Sequence, residues 1–577
     1  MRTLGVVFAL SWVSSACGGS GGLGKPVAVF PSKVDLEDVM TREAKPVTAL
    51  KTVEVPSWTI QTPIPAIGAA YPGETAWDRL LARYVAEKGR GKLSAELRCA
   101  ALETARFYAT AGGFPDDGTR QYLAERCGST TPALQLGTLT GEVPADVTDD
   151  VLADKYAADI KSLLDQSGLL PTTDVALGVA RVGTRVGVAL YSANPVARLA
   201  RFSPLVSGEG VMLEGVVSAG SDFALALVNQ GATGVRSCEP DRTLKLPQFR
   251  VTCPVVASDE QTRFEVTTRQ PGRVLMEIEL GGLVRRNEQA GLVYAPESST
   301  STAQAADVLA FQTVLFSALN EVRATAGARP LVLESKQSQV NQRLAPHFFE
   351  AARTGNSQVA DTIGLGVLAG WDVNGIIRDG GVYWGIVTST RSPARYLTYA
   401  LASPLGRSIL LDPDMTRVAI GASGLAPSGA MALVTTYSFF QTNDHSADET
   451  KVFTELSKRR QAGKHSSPQH TPRERALDRA LARIAANDAS TGSALSLAME
   501  EVSANEAVGV SGWVAETSDL RQIPWPDDLL AKEPLNVEIG VTHYKAPGGA
   551  WAQYAILVIM REPGGGRMAS TSRPSTL

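Results

Sequence analysis

Few side chains in this sequence could move a proton or hold a metal. The five histidines are His347, His445, His465, His470 and His543. In "APHFFEAA", His347 and Glu350 are three apart, which makes them surface neighbours on a helix. That spacing suits a proton-transfer or metal pair. It equally suits a helix-surface ion pair or a partly buried histidine, and this plainer role is the expectation. His445, His465 and His470 fall in a polar stretch from about 441 to 471 and are expected to be solvated. His543 precedes Tyr544 on a strand pattern and reads as a sheet residue rather than a base. There is no Cys-x-x-Cys pair, and no histidine neighbours a cysteine, so nothing supports zinc. We expect no metal and no other cofactor.

Three further patterns fail on context. "GGSGG", Gly18 to Gly22, fits Gly-x-Ser-x-Gly but reads as a tether, not a strand-to-helix elbow. "GSGGLGKP" follows a phosphate-binding loop up to Lys25, where Pro26 replaces the required Ser or Thr. "GLGVLA", Gly364 to Ala369, is a lone glycine pattern outside any βαβ unit. Trp371, Trp384 and Trp513 could line a groove, but core packing is the expected role.

The five cysteines are Cys17, Cys99, Cys127, Cys238 and Cys253. Arg2, the apolar run "LGVVFALSWV" and Ser14-Ser15-Ala16-Cys17 have the layout of a secretory signal ending in a lipobox. Lipidation of Cys17 would leave four cysteines in two local pairs, Cys99 with Cys127 and Cys238 with Cys253, as disulfides of an exported chain. "GGSGGLG" would then be a flexible tether. Gly18 after the lipid cysteine favours an outer-membrane or cell-surface destination. With 55 basic and 59 acidic residues, there is no electrostatic reason to expect nucleic acid. At 44% hydrophobic and 20% charged, the 577 residues suit several packed domains.

Hydrophobic periodicity divides the chain. The signal covers 1–16, and a tether and extended linker, or an arm packed on a neighbour, covers 17–72. "AWDRLLARYVAE" and "SAELRCAALETARFYAT" are helical, with Ser94 as N-cap of the second, and open a helix-rich unit over 73–197. Short strands with period two over 198–297 predict an antiparallel β-sandwich. After a linker, 298–306, comes a unit over 307–441, then a polar linker, 442–471. A last unit covers 472–562, and the tail 563–577 is expected to be disordered. "DVALGVARVGTRVGVALYSA", "RVAIGASGLAPSGAMALVTTYSFF" and "NVEIGVTHYKAPGGAWAQYAILVIM" each carry an apolar strand through Gly, a turn and a second apolar strand. Helices precede each one, which suggests one module used three times.

The 307–441 unit carries "LNEVRATAGARPLVLESKQSQV", "SPLGRSILLDPDMTRVAIGAS" and the strand "ALVTTYSFF". In order and spacing these resemble the CAP family of cysteine-rich secretory, antigen 5 and pathogenesis-related proteins, in its short bacterial type. The resemblance implies an α-β-α sandwich, hence a multidomain α/β plus β chain with an intervening β-sandwich. It also implies a cleft where histidines and glutamates bind a divalent metal. This sequence departs from it there. "RTGNSQ" has no histidine, Tyr383 and Trp384 stand where Glu is expected, and Leu405-Gly406 replaces the second histidine. Ser403, Pro404 and Arg407 remain as the loop's frame. The expected function is therefore non-catalytic: a lipid-anchored envelope protein that binds a protein, glycan or lipid. The alternatives are a metal-dependent hydrolase using a rearranged cleft at His347 and Glu350, and an inert surface spacer.

Overall fold

The computed structural model describes residues 8–10, 30–48, 50, 52–66, 68–132, 134–144, 146–269, 276–294, 304–354, 356–425, 429–440, 445–506, 509–517, 520, 523–545 and 551–561. Cys17 and the 563–577 tail lie outside them. Of the expected signal, only the strand Phe8–Leu10 lies within them. The described residues form two compact units. The larger holds 8–10, 31–373 and 381–436, and the smaller holds 30, 374–380 and 437–561.

The first module of the larger unit has the helices Ala76–Lys88, Ala95–Ala111, Asp117–Arg126 and Asp149–Gln166. Thr75 and Asp78 form a capping box on the first helix. Ser94 caps the second, its hydroxyl accepting from Leu97 N–H, as the sequence predicts. The sheet order is Lys92–Leu93, Asp174–Val182, Arg185–Ala193, Gln135–Glu142. Its first pair is parallel and the other pairs are antiparallel. A disulfide joins Cys99 to Cys127.

The middle module repeats this topology. Its helices are Val308–Thr325, Ser335–Thr354, Ser357–Ala369, Pro393–Ala402 and Pro404–Leu410. Its strands Val332–Leu333, Arg417–Leu425, Gly429–Phe439 and Ile377–Val387 are neighbours in that order, the first pair parallel. The smaller unit has the same order again: Gln469–His470, Asn536–Tyr544, Gln553–Arg561, Val510–Thr517, the first pair parallel. The three-copy reading of the hairpins therefore matches the strand order.

The boundaries need correction. The polar stretch 442–471 is not a linker: it holds the helix His445–Ala462 and the strand Gln469–His470. The third copy thus begins at its own first helix, not at 472. Val452 and Leu456 are fully buried, but they are too sparse among charged residues to give a periodic signal. Within the larger unit, the described part of the 17–72 stretch, from residue 31, is an arm with a short helix, Glu37–Thr41, and pairing of its own. Thr52–Val53 runs parallel to Phe114–Pro115, and Trp58–Thr59 is antiparallel to Val293–Tyr294. Within 298–306, Ala305 is buried and its N–H donates to Arg391 O, so this end is packed rather than linking.

Between the first and middle modules stand two four-stranded antiparallel sheets. One runs Glu239–Pro240, Gln248–Pro254, Gly210–Val216, Arg198–Arg201; the other runs Gly234–Ser237, Phe223–Gln230, Gln261–Arg269, Glu277–Arg285. Leu213 and Val251 of one share a core with Val228, Phe264 and Leu280 of the other. Cys238 and Cys253 form the second expected disulfide, worth roughly 3 kcal/mol in the chain-entropy account.

The glycine in each long hairpin strand has a packing reason. A Cβ at Gly421 would lie 2.2 Å from Asn341 O, and one at Gly178 would lie 2.1 Å from the Ala101 carbonyl carbon. Backbone cannot yield as a side chain can. At Gly540 the nearest atom is Leu481 Cδ1 at 2.8 Å. Gly421→Ala should therefore cost about 1–3 kcal/mol or more, and Gly540→Ala distinctly less. Hydrogen exchange in peptides covering 417–425 and 536–544 of the two variants tests this, and equal losses would contradict it.

Candidate functional site

The Ser403-Pro404-Leu405-Gly406-Arg407 loop is a structural joint. Ser403 caps the Pro404–Leu410 helix, its Oγ accepting from Gly406 N–H at 3.1 Å. The same hydroxyl donates to Glu265 Oε2 at 2.9 Å, and Leu405 N–H donates to that oxygen at 2.9 Å. Glu265 comes from the Gln261–Arg269 strand and is 2% exposed. Arg407 donates through Nε to Leu401 O at 2.6 Å and through Nη1 to Gly231 O and Gly234 O, each at 2.9 Å. The loop that the resemblance would make a cleft wall thus holds the middle module to the β domain. At Gly406 a Cβ would lie 2.0 Å from Ala400 O, so an imidazole has no room there.

A cavity of ≈ 140 Å³ adjoins the joint, lined in part by Asp117, Arg120, Glu125, Arg263, Glu265 and Tyr399. Its two arginines lie against acids. Arg263 pairs with Glu125 at 2.7 Å, Arg120 pairs with Asp117, and the Tyr399 hydroxyl donates to Asp116. Burial pushes the Glu265 carboxyl up to about 7, against the opposing pull of the Leu405 N–H, the Ser403 hydroxyl and Arg263. Burial also lifts the Tyr399 hydroxyl far above its ordinary range, and Asp116 adds to this. The lining holds no imidazole. Glu265 is engaged by Ser403 and Leu405, and Glu125 and Asp117 are engaged by arginines. This donor set does not fit the divalent metal implied by the resemblance, and no chemistry is routed through one here.

Tyr383 and Trp384 line this cavity, whereas His347, Glu350, Trp371 and Trp513 are not in its lining. His347 is half-buried on the Ser335–Thr354 helix, and Glu350 Oε2 accepts from the Lys45 backbone N–H at 3.1 Å. Among the described residues, no further histidine, cysteine or acid completes a metal-holding group with them. Trp384 is both buried edge-on against Phe348 at 5.4 Å and part of the cavity wall. Trp513 is half-buried and stacks on Trp525 at 4.9 Å, and Trp371 donates to Pro31 O at 3.1 Å. Asp116, Glu125, Arg263, Glu265 and Tyr399 carry no motif. Glu265 is flanked by Phe264 and Val266, but the rest of the Gln261–Arg269 strand is polar, so nothing local sets it apart.

No protein-family model matches the sequence, and no curated protein does. Among solved structures the chain is similar to the crystal structure of a cysteine-rich secretory protein from Staphylococcus aureus subsp. aureus Mu50. The identity is 11%, over 42% of this chain and 87% of that one, with a TM-score of 0.18. Nothing about activity follows from a likeness of that size. No described helix is long and apolar enough to cross a membrane.

Proposed function

We propose that this chain is an exported, lipid-anchored envelope protein, with Cys17 as the lipidation site, and that it acts as a non-catalytic binding scaffold. In this reading it carries CAP-like α-β-α sandwich modules around a β-sandwich. One observation carries the proposal: the Ser403–Arg407 loop spends its polar groups on the chain's own β domain, through Glu265, Gly231 and Gly234. A loop so engaged, beside a cavity where Arg263 and Arg120 lie against Glu125 and Asp117, is built as a joint between modules rather than as an open reaction centre. The partner class is an envelope or extracellular protein, glycan or lipid.

The test is co-sedimentation of the full-length protein with peptidoglycan sacculi and, separately, with phospholipid vesicles, assaying the supernatant for released fragments. Saturable retention without soluble product is the expected result. Release of reducing ends, peptides or fatty acids would make it a hydrolase, and no retention on either surface would favour a spacer. Separately, Cys17→Ser should abolish radiolabelled palmitate incorporation; persistent labelling would remove the anchor from the proposal.

A further inference from the structure

One cluster of ligating side chains belongs to none of this. In the smaller unit His445 begins the His445–Ala462 helix, and Asp448 follows in its first turn. His543 is on the Asn536–Tyr544 strand. One ligand atom from each of the three lies within 4.8 Å of the others. The imidazole rings are 4.8 Å apart and nearly perpendicular, at 82°. Asp448 is 5% and His543 9% exposed. His445 is not the solvated linker residue expected from the sequence: its Nδ1, like His543 Nε2, is buried without a hydrogen-bond partner.

Two buried ring nitrogens left unpaired beside one carboxylate are costly unless something satisfies them together. Neutral imidazole and carboxylate are the donors a zinc-class ion takes. Phe440 stacks on His543 at 4.2 Å and Tyr554 flanks it at 5.5 Å, which sets the ring's orientation. Lys451 Nζ donates to Asp448 Oδ1 at 2.9 Å and steadies the carboxylate. The negative charge of Asp448 also offsets the positive end of the helix.

We propose that His445, Asp448 and His543 bind a zinc-class divalent cation that clips the start of this helix to the strand. Donors about 2.0–2.1 Å from the ion in a tetrahedron stand about 3.4 Å apart. Side-chain rotation must therefore close the widest gap by about 1.4 Å. Three protein donors leave a fourth position for water.

Zinc chloride alone, titrated by calorimetry into the full-length protein, is the test. The expected result is one ion per chain with a micromolar or tighter Kd. His445→Ala and Asp448→Asn should each weaken it at least tenfold, and His347→Ala should leave it unchanged. His445 is only half-buried, so His445→Ala remains informative even where a His543 variant misfolds. Cobalt(II) in place of zinc should give visible absorption bands that His445→Ala removes. No binding to the wild type, or equal binding in His445→Ala and Asp448→Asn, overturns the proposal. Binding lost only in His347→Ala also overturns it and moves the ion to the His347–Glu350 pair.

Discussion

Arg323→Ala is expected to destabilise the middle module by about 3–5 kcal/mol, the cost of breaking a buried, fully bonded charge site. Arg323 is fully buried at the end of the Val308–Thr325 helix. Its guanidinium donates to four backbone carbonyls: Arg329 at 2.8 Å, Leu410 at 2.7 Å, and Asp412 and Met415 at 3.0 Å each. One side chain thus satisfies two loops, one leading to the Val332–Leu333 strand and one to the Arg417–Leu425 strand. Removing it leaves several buried oxygens unpaired, each costing about 1–3 kcal/mol before relaxation, as well as a cavity. Lysine cannot replace the planar fork, so Arg323→Lys should recover less than half. A chain of several modules does not unfold in one step, so the reading must be local. Hydrogen exchange in peptides covering 404–425 should quicken about 100-fold or more. Unchanged exchange there would refute this role.

Arg460 makes the parallel claim for the smaller unit. It is also fully buried, and it donates to the carbonyls of Ser466, Leu529 and Leu530 and pairs with Glu533 at 2.9 Å. Its place, at the end of the first helix of its module, matches that of Arg323. Arg460→Ala should loosen its own module and leave 404–425 protected.

The second large effect is a pH dependence centred on Glu265. Its carboxyl is pushed up to about 7 in the folded chain from an ordinary value of 4.5. The folded protein therefore holds a proton that the unfolded chain releases between these values. With more protons bound in the native state, stability falls as pH rises through about 4.5 to 7 and levels off above. By about 1.36 kcal/mol per unit, this one group accounts for roughly 3 kcal/mol. Glu265→Gln removes the titration while keeping an oxygen for Leu405 N–H and Ser403 Oγ. Relative to wild type, the variant should gain roughly 3 kcal/mol between pH 5 and pH 8. Hydrogen exchange in peptides covering 261–269 and 403–410, corrected for the intrinsic effect of pH and compared between the two proteins at both pH values, measures the difference. Parallel behaviour of the two would mean that Glu265 does not titrate in this range.

What could be read in the sequence was local. The Ser94 cap, the amphipathic helices, the paired cysteines and the three hairpins passing through Gly178, Gly421 and Gly540 follow from spacing and residue type. These act over one or two turns or one hairpin. The helix His445–Ala462 escaped because its buried positions recur every four residues but two of the four, Asp448 and Arg460, are charged, so no apolar stripe shows.

The tertiary structure decided which polar groups meet. Glu265 reaches Ser403 and Leu405, Arg323 reaches the carbonyls beyond Leu410, and His543 faces His445, each across a long stretch of chain. A lone carboxylate in a strand or a lone histidine in a polar run carries no pattern, since its partner is set by strand register and helix packing. Burial then determines the chemistry: it raises the Glu265 carboxyl and makes every unmatched donor or acceptor expensive.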